Sequence, residues 1–244
     1  MKPLSGYRVI DLSNVLSGPF CGCQLAHLGA EVIKIEVPVR GDLARQLGLD
    51  VELNQKLMGA TYLAQNSGKR SITINLKSAE GVAVFKRLIK TADVIVENFR
   101  PGVMDRLGVG YEVLKDLNPN LVYCAISGFG QEGPLKSRPA YDQIIQGMSG
   151  TMSITGDAES APLRVGYPIA DTIGGITAAF AISAALAKQD GKRGTFIDVS
   201  MLESVMCTMG FQISNYFNAN QEPQPMGNEN FTGSPSGTFQ TGSG

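Results

Sequence analysis

The chain has 244 residues with 21 Lys and Arg against 22 Asp and Glu, so neither a basic surplus for nucleic acid nor a charge run for an anionic membrane is present. Apolar residues make up 43% and charged residues 18%, a globular balance in a chain long enough for one large domain or two small ones. Four scattered cysteines (Cys21, Cys23, Cys124, Cys207) and one histidine, His27, are a poor set for zinc, and the N-terminus MKPLSGYRV lacks the apolar core of a signal peptide. The expectation is a cytoplasmic protein with free thiols and no metal.

YRVIDL at 7–12 ends in Ser13 and Asn14 and predicts the first strand; Pro19 opens a helix that closes at Gly29, and EVIKI at 31–35 predicts the next strand. Such a β-α-β unit favours parallel pairing with a right-handed crossover. Residues 41–70 are polar and weakly periodic, which predicts an irregular surface excursion with one short helix. The alternation then resumes with a strand at 71–76, then a helix through 92 capped by Ser78, with Val82, Phe85, Leu88 and Ile89 on its apolar face. A strand at 93–96, helices at 101–107 and 111–117, and a strand at 121–127 follow. Beyond them come a helix at 141–152, the helix carrying Asp171, a strand at 195–199 and a helix at 201–217. The apolar run 173–186 is shorter than a membrane span and holds Gly, Ser and Thr, so it reads as a buried helix. Strands alternating with helices predict an α/β fold, a Rossmann-like open, mostly parallel sheet with flanking helices. Ligands then bind outside the carboxyl ends of the strands, at the loops 13–18, 97–102 and 128–133. From Asn218 onward the composition is that of a linker, so 1–217 reads as one domain and 218–244 as a separate segment.

The stretch RVGYPIADTIGG at 164–175 puts one carboxylate, Asp171, at the entrance to the long apolar helix. Read alone, it is a helix cap before it is a nucleophile. Gly174 and Gly175 pull against that reading, since each weakens a helix start by about 1 kcal/mol relative to Ala. Glycines there fit a ligand that must approach the backbone. GFGQEG at 128–133 matches the dinucleotide pattern G-x-G-x-x-G after a strand, but Pro134 and Pro139 follow where a helix should run, and no acidic strand end lies about 20 residues on. Glu36 ends the first β-α-β unit where a ribose-binding acid would sit, yet the loop SNVLSGPF lacks the glycine triplet. A nicotinamide or flavin enzyme is therefore disfavoured.

In order along the chain, LSGYRVID (4–11), GAEVIKIE (29–36), GKRSI (68–72), ADVIVENFRPG (92–102), SGFGQEGP (127–134) and Ala170-Asp171 together resemble the class III CoA-transferase family of the CaiB/BaiF, formyl-CoA transferase-like type. The resemblance implies a Rossmann-like CoA-binding large domain and a small domain, with two subunits interlocked like links of a chain in a homodimer. Family members run beyond 244 residues, so it further implies an N-terminal fragment: 1–217 as the large domain, 218–244 as linker and the start of a truncated small domain, and a glycine-rich closing loop past residue 244.

The implied activity is acyl-CoA:carboxylate CoA transfer, with CoA or acyl-CoA as substrate, no permanently bound cofactor, and a small carboxylic acid as the other partner. Asp171 falls at the family's catalytic aspartate, which forms an acyl anhydride and then a CoA thioester; the helix N-terminus beside it would supply oxyanion donors and keep it ionised. CoA-binding positions match Val15, Leu16, Ser17, Ile74, Lys77, Asn98, Phe99, Arg106 and Tyr141, with Arg40 a substitute for the basic residue missing at Val37. Arg106 and Lys77 would meet phosphates, and Phe99 would stack on adenine. Leu16 stands where formyl-CoA transferases have a glutamine, which disfavours oxalate and formate and favours a dicarboxylic acid such as succinate. Two alternatives stay open. An α-methylacyl-CoA racemase of the same family would need a histidine where Tyr141 stands, with His27 reading as structural; the other is an inactive CoA-binding fragment.

Overall fold

The computed structural model describes residues 2–188, 194–230, 233 and 235–242. Its strands are β1 (Arg8–Asp11), β2 (Glu31–Glu36), β3 (Arg70–Thr73), β4 (Val94–Glu97), β5 (Val122–Ser127) and β6 (Thr195–Ser200). They form one sheet in the order β3-β2-β1-β4-β5-β6, with every pairing parallel. The helices are α1 (Ser17–His27), α2 (Val51–Gln55), α3 (Ala60–Asn66), α4 (Ala79–Ile89), α5 (Val103–Arg106), α6 (Tyr111–Leu117), α7 (Asp142–Met148), α8 (Ile169–Leu186), α9 (Met201–Thr208) and α10 (Gly210–Ala219).

Parallel strands are joined by crossover helices that cover both faces, so the central strands are apolar runs instead of alternating patterns. VIVE of β4 and VYCAIS of β5 are buried along their whole length. Val94 and Val96 enter a core with Cys21, Leu25, Ala178, Ile182 and Val205 of α1, α8 and α9. Ile95 points the other way, to Phe85 and Ile89 of α4, Met104 of α5 and Leu114 of α6. The expected α/β architecture is present, with the sheet in the middle of three layers.

The segment 41–70 is more ordered than its polar composition predicts. A 3-10 turn (Leu43–Gln46), α2 and α3 occupy it, organised around the carboxylate of Glu36. That group accepts from Arg45 Nε at 2.6 Å, Arg45 Nη2 at 2.7 Å, Tyr62 Oη at 3.0 Å, Ser71 Oγ at 2.6 Å and the Asp42 amide at 2.8 Å. Burial pushes the Glu36 carboxyl up, but the bonds from Arg45, Ser71 and Asp42 outweigh it and hold the group at about 2. The acid at the ribose-binding position is thus spent inside the protein.

Further along, 141–152 divides into α7 and a 3-10 turn (Met152–Ile154), and 201–217 into α9 and α10. The long apolar helix α8 starts four residues before its apolar run and reaches 18 residues, long and apolar enough by length and composition to cross a membrane. In the fold it lies on the sheet, with Ala178, Ile182 and Leu186 buried. Its glycines answer to helix packing and not to ligand approach. A Cβ on Gly175 would stand 2.6 Å from the Ser17 carbonyl oxygen and 3.0 Å from Phe20 Cδ1, and one on Gly174 would stand 3.1 Å from Met201 Cγ. α1 therefore lies directly against the backbone of α8.

Candidate active site

The strand order reverses between β1 and β4, and the loops leaving their carboxyl ends part there. A cavity of about 640 Å³ opens at that point. Its wall contains Asn14, Val15, Leu16 and Ser17 after β1, Val37, Arg40 and Gln46 after β2, Asn98, Phe99, Arg100 and Pro101 after β4, and Ser127 with Gly128 at the end of β5. Lys136, Arg138 and Tyr141 approach from the next loop, Asp171 from α8 and Met201 from α9.

Of the residues singled out by sequence, Val15, Leu16, Ser17, Arg40, Asn98, Phe99, Tyr141 and Asp171 line this one cavity. Ile74, Lys77 and Arg106 do not. Ile74 is buried in the core beside Phe85 and Ile89, its amide donating to the Glu36 carbonyl at 2.9 Å. Lys77 and Arg106 share a separate groove of about 400 Å³ with Leu76, Ser78 and Leu107. His27 is exposed at the end of α1, with its Nε2 3.7 Å from Cys23 Sγ.

Arg100, Lys136 and Arg138 were not anticipated, and with Arg40 they give the cavity four cations in a chain of net charge −1. Composition marks 134–140 as a loop and says nothing about which way its charges face. The GFGQEG loop before it is not a dinucleotide turn. Gly130 has φ of 82°, and the Gln131 amide donates to Asp198 Oδ2 of β6 at 2.8 Å.

The cap of α8 comes from elsewhere in the chain. Asp142, the first residue of α7, accepts from the Ala170 amide at 2.7 Å and the Asp171 amide at 3.2 Å through Oδ1, while its Oδ2 accepts from Gln146 Nε2 at 2.6 Å. Asp171 sits in the first turn of α8 without acting as a side-chain cap. Its carboxyl faces the cavity and the negative charge of Asp142, and burial, followed by that charge, pushes it up to about 7. The sequence predicts a helix end that keeps Asp171 ionised. Here the amides that would do so are bound to Asp142, and desolvation wins.

The positive helix end facing the cavity belongs to α1, which starts at Ser17 with no side-chain cap bond and no acidic residue in its first turn. The hydroxyls of Ser17 and Ser127 are buried on the cavity wall, with no hydrogen-bond partner among the described residues. Buried hydroxyls are normally paired, so these are open donors. The β4 turn is fixed by Glu97, which accepts from the Phe99 amide at 2.8 Å. Burial pushes the Glu97 carboxyl up to about 7 against that bond. Val15, on the β1–α1 loop, has φ of 65°, a conformation that costs a β-branched residue about 1–3 kcal/mol.

A carboxylate nucleophile must be ionised to attack, so kcat/KM for any chemistry at Asp171 rises with pH through about 7 and levels off above it. Asp142→Asn removes the neighbouring charge while keeping an acceptor oxygen, and is expected to move that acid limb to lower pH. A pH profile from 5 to 9 measures both; a flat wild-type profile would contradict the raised Asp171 pKa.

A parallel sheet of this strand order with a cleft at its switch point places the chain among the doubly wound α/β proteins. The family model described as CoA-transferase family III matches residues 4–244, and the chain belongs to that family. It is 43% identical over 247 residues to a succinate–glutarate CoA-transferase of Agrobacterium fabrum, covering 99% of this chain and 62% of that protein. It is 42% identical over 240 residues to an acetyl-CoA:oxalate CoA-transferase of Acetobacter aceti, covering 98% and 61%. The fold is similar to that of a CaiB/BaiF family protein from Brucella suis, with a TM-score of 0.89 at 38% identity over 100% of this chain and 65% of that one. The chain thus spans about three fifths of the length of these two curated relatives.

Proposed function

We propose that this chain carries the CoA-binding and nucleophile-bearing part of an acyl-CoA:carboxylate CoA-transferase. One observation carries the reading: Asp171 shares a cavity with Phe99 and with four cations, Arg40, Arg100, Lys136 and Arg138. A long ligand with phosphates at one end and a thioester at the other fits that layout, the phosphates meeting the cations and the acyl group meeting the acid. Lys77 and Arg106, in their own groove, are left for an outlying phosphate.

In the proposed mechanism the Asp171 carboxylate attacks the thioester carbonyl, the C–S bond breaks, and CoA leaves as thiolate with an acyl-aspartyl anhydride behind it. The thiolate attacks the aspartyl carbonyl of the anhydride, releasing the donor acid and forming an aspartyl-CoA thioester. The acceptor carboxylate then displaces the thiolate to give a second anhydride. Attack of the thiolate on the acceptor's acyl carbon regenerates Asp171 and yields the new acyl-CoA. Each tetrahedral oxyanion needs donors, and the start of α1 with the Ser17 and Ser127 hydroxyls supplies them. Relatives named for succinate with glutarate and for oxalate match almost equally, at 43% and 42%. Both names point to a dicarboxylic acid, and apolar Leu16 favours the longer acids.

Lys136→Ala and Arg138→Ala are each expected to raise KM for acyl-CoA about 3- to 10-fold, more than they lower kcat, with the effect shrinking at high salt. Kinetics at two ionic strengths check this. The function itself is tested by incubating the protein with succinyl-CoA and succinate, glutarate, malate or oxalate, and following CoA exchange by mass spectrometry. Exchange with a diacid supports the reading, and no exchange with any acid overturns it. Deuterium uptake at the acyl α-carbon would instead indicate the racemase chemistry.

A further inference from the structure

We infer that the buried ion pair Lys34–Asp42 is a positioning device that holds the β1–α1 loop in its left-handed bend and so shapes the cavity; this rests on the CoA-binding reading above. Val15 adopts φ of 65°, which a β-branched residue keeps only when its surroundings enforce it. The enforcement is made by side chains. Asp42 accepts from the Val15 amide, at 3.0 Å through Oδ1 and 3.3 Å through Oδ2. Lys34 Nζ donates to the Ser13 carbonyl at 2.8 Å and pairs with Asp42 at 2.9 Å, both side chains being fully buried. Between them Asn98 accepts from the Asn14 amide and donates to the Asn14 carbonyl, each at 2.8 Å. From the Ser13 carbonyl to the Val15 amide, each of these backbone polar groups ends on a side chain from β2, from the cap of the 3-10 turn or from the residue after β4.

A buried ion pair is weak support for stability, because well-packed apolar residues replace such pairs at little cost. What apolar residues do not supply is direction. Lys34 aims its charge at the Ser13 carbonyl and Asp42 aims its oxygens at the Val15 amide, with the residues of the cavity wall, Val15 to Ser17, following at once. Loss of the clamp therefore frees the Val15 amide while the sheet stays closed, and that local opening separates positioning from mere stability.

The test uses the double variant Lys34→Met/Asp42→Ala, which removes both charges together and leaves no lone ion buried. CoA binding is measured by calorimetry, with a thermal melt to show that each variant is folded. The double variant is expected to bind CoA at least about tenfold more weakly, with the Val15 amide exchanging faster while the amides of the central strands keep their protection. If the unmodified chain does not bind CoA, the proposed function fails and this inference with it. If the unmodified chain binds and the folded double variant binds equally well, the inference alone is overturned. A loss that leaves the Val15 amide as protected as before also overturns it, assigning the effect to the 3-10 turn that Asp42 caps through the Ala44 amide at 2.9 Å. Should the double variant not fold, amide hydrogen exchange in the unmodified chain decides. The Asn14 and Val15 amides are expected to be protected about 100-fold or more over exposed loop amides, and fast exchange there overturns the clamp.

Discussion

Asp171→Asn is expected to abolish CoA transfer, a fall of at least about 10³-fold in kcat, while making the protein more stable above pH 7. The first effect follows from removing the atom that, in the proposed mechanism, forms both covalent intermediates. The second follows from the raised pKa. The native carboxyl titrates near 7 and the unfolded one near the ordinary value of about 3.9, so between these pH values the native state binds more protons. Stability contributed by this group is then lost as pH rises through that window. Asn carries no such cost. With the side chain partly open to solvent, the gain at pH 8 is discounted to about 1–2 kcal/mol, or roughly 4 °C in Tm, and it vanishes below about pH 4. Intact-protein mass spectrometry after incubation with succinyl-CoA checks the chemistry: wild type shows a CoA adduct that hydroxylamine removes. An adduct retained in Asp171→Asn would place the nucleophile elsewhere.

Gly175→Ala is expected to destabilise the chain by about 2 kcal/mol, roughly 6 °C in Tm, and to weaken CoA binding through the displaced Ser17. A methyl group there meets the Ser17 carbonyl oxygen at 2.6 Å and the Cys21 amide nitrogen at 3.3 Å, backbone atoms that move only if α1 moves. The gain of about 1 kcal/mol in helix propensity does not cover that cost. Gly147 of α7 supplies the contrast. Its added Cβ meets only Met152 Sδ at 3.6 Å, so Gly147→Ala is expected to be neutral or to stabilise by up to about 1 kcal/mol. Denaturant melts of the two variants should move in opposite directions; equal shifts would refute the packing account.

The succession of strands and helices was legible because it depends on local signals. VIVE and VYCAIS read as strands buried on both faces, and Ser78 read as a cap because its hydroxyl accepts from an amide three residues on, Gly81, at 3.1 Å. The order within 41–70 was not legible, since it is imposed by Glu36, Arg45 and Tyr62, which meet only after folding. The cavity was half legible. Motif order pointed to Val15, Asn98, Phe99 and Asp171, whereas Arg100, Lys136 and Arg138 carried no signal of direction, and Ile74 looked like part of the site while its side chain fills the core.

By itself, the sequence determined a parallel α/β sheet, the strand ends where the cavity opens, and the family stretches that contain Asp171. These are patterns of neighbouring residues, and hydrophobic periodicity and turn chemistry act over a few residues at a time. Only the tertiary structure decided that Asp142, 29 residues before Asp171, caps the helix, that Gly175 makes room for α1 and Gly174 for Met201 of α9, and that the Asp171 carboxyl sits near 7 instead of being held ionised. Capping, close approach and desolvation depend on groups from distant parts of the chain meeting in space, and a carboxyl's pKa is set by what surrounds it once water has been displaced.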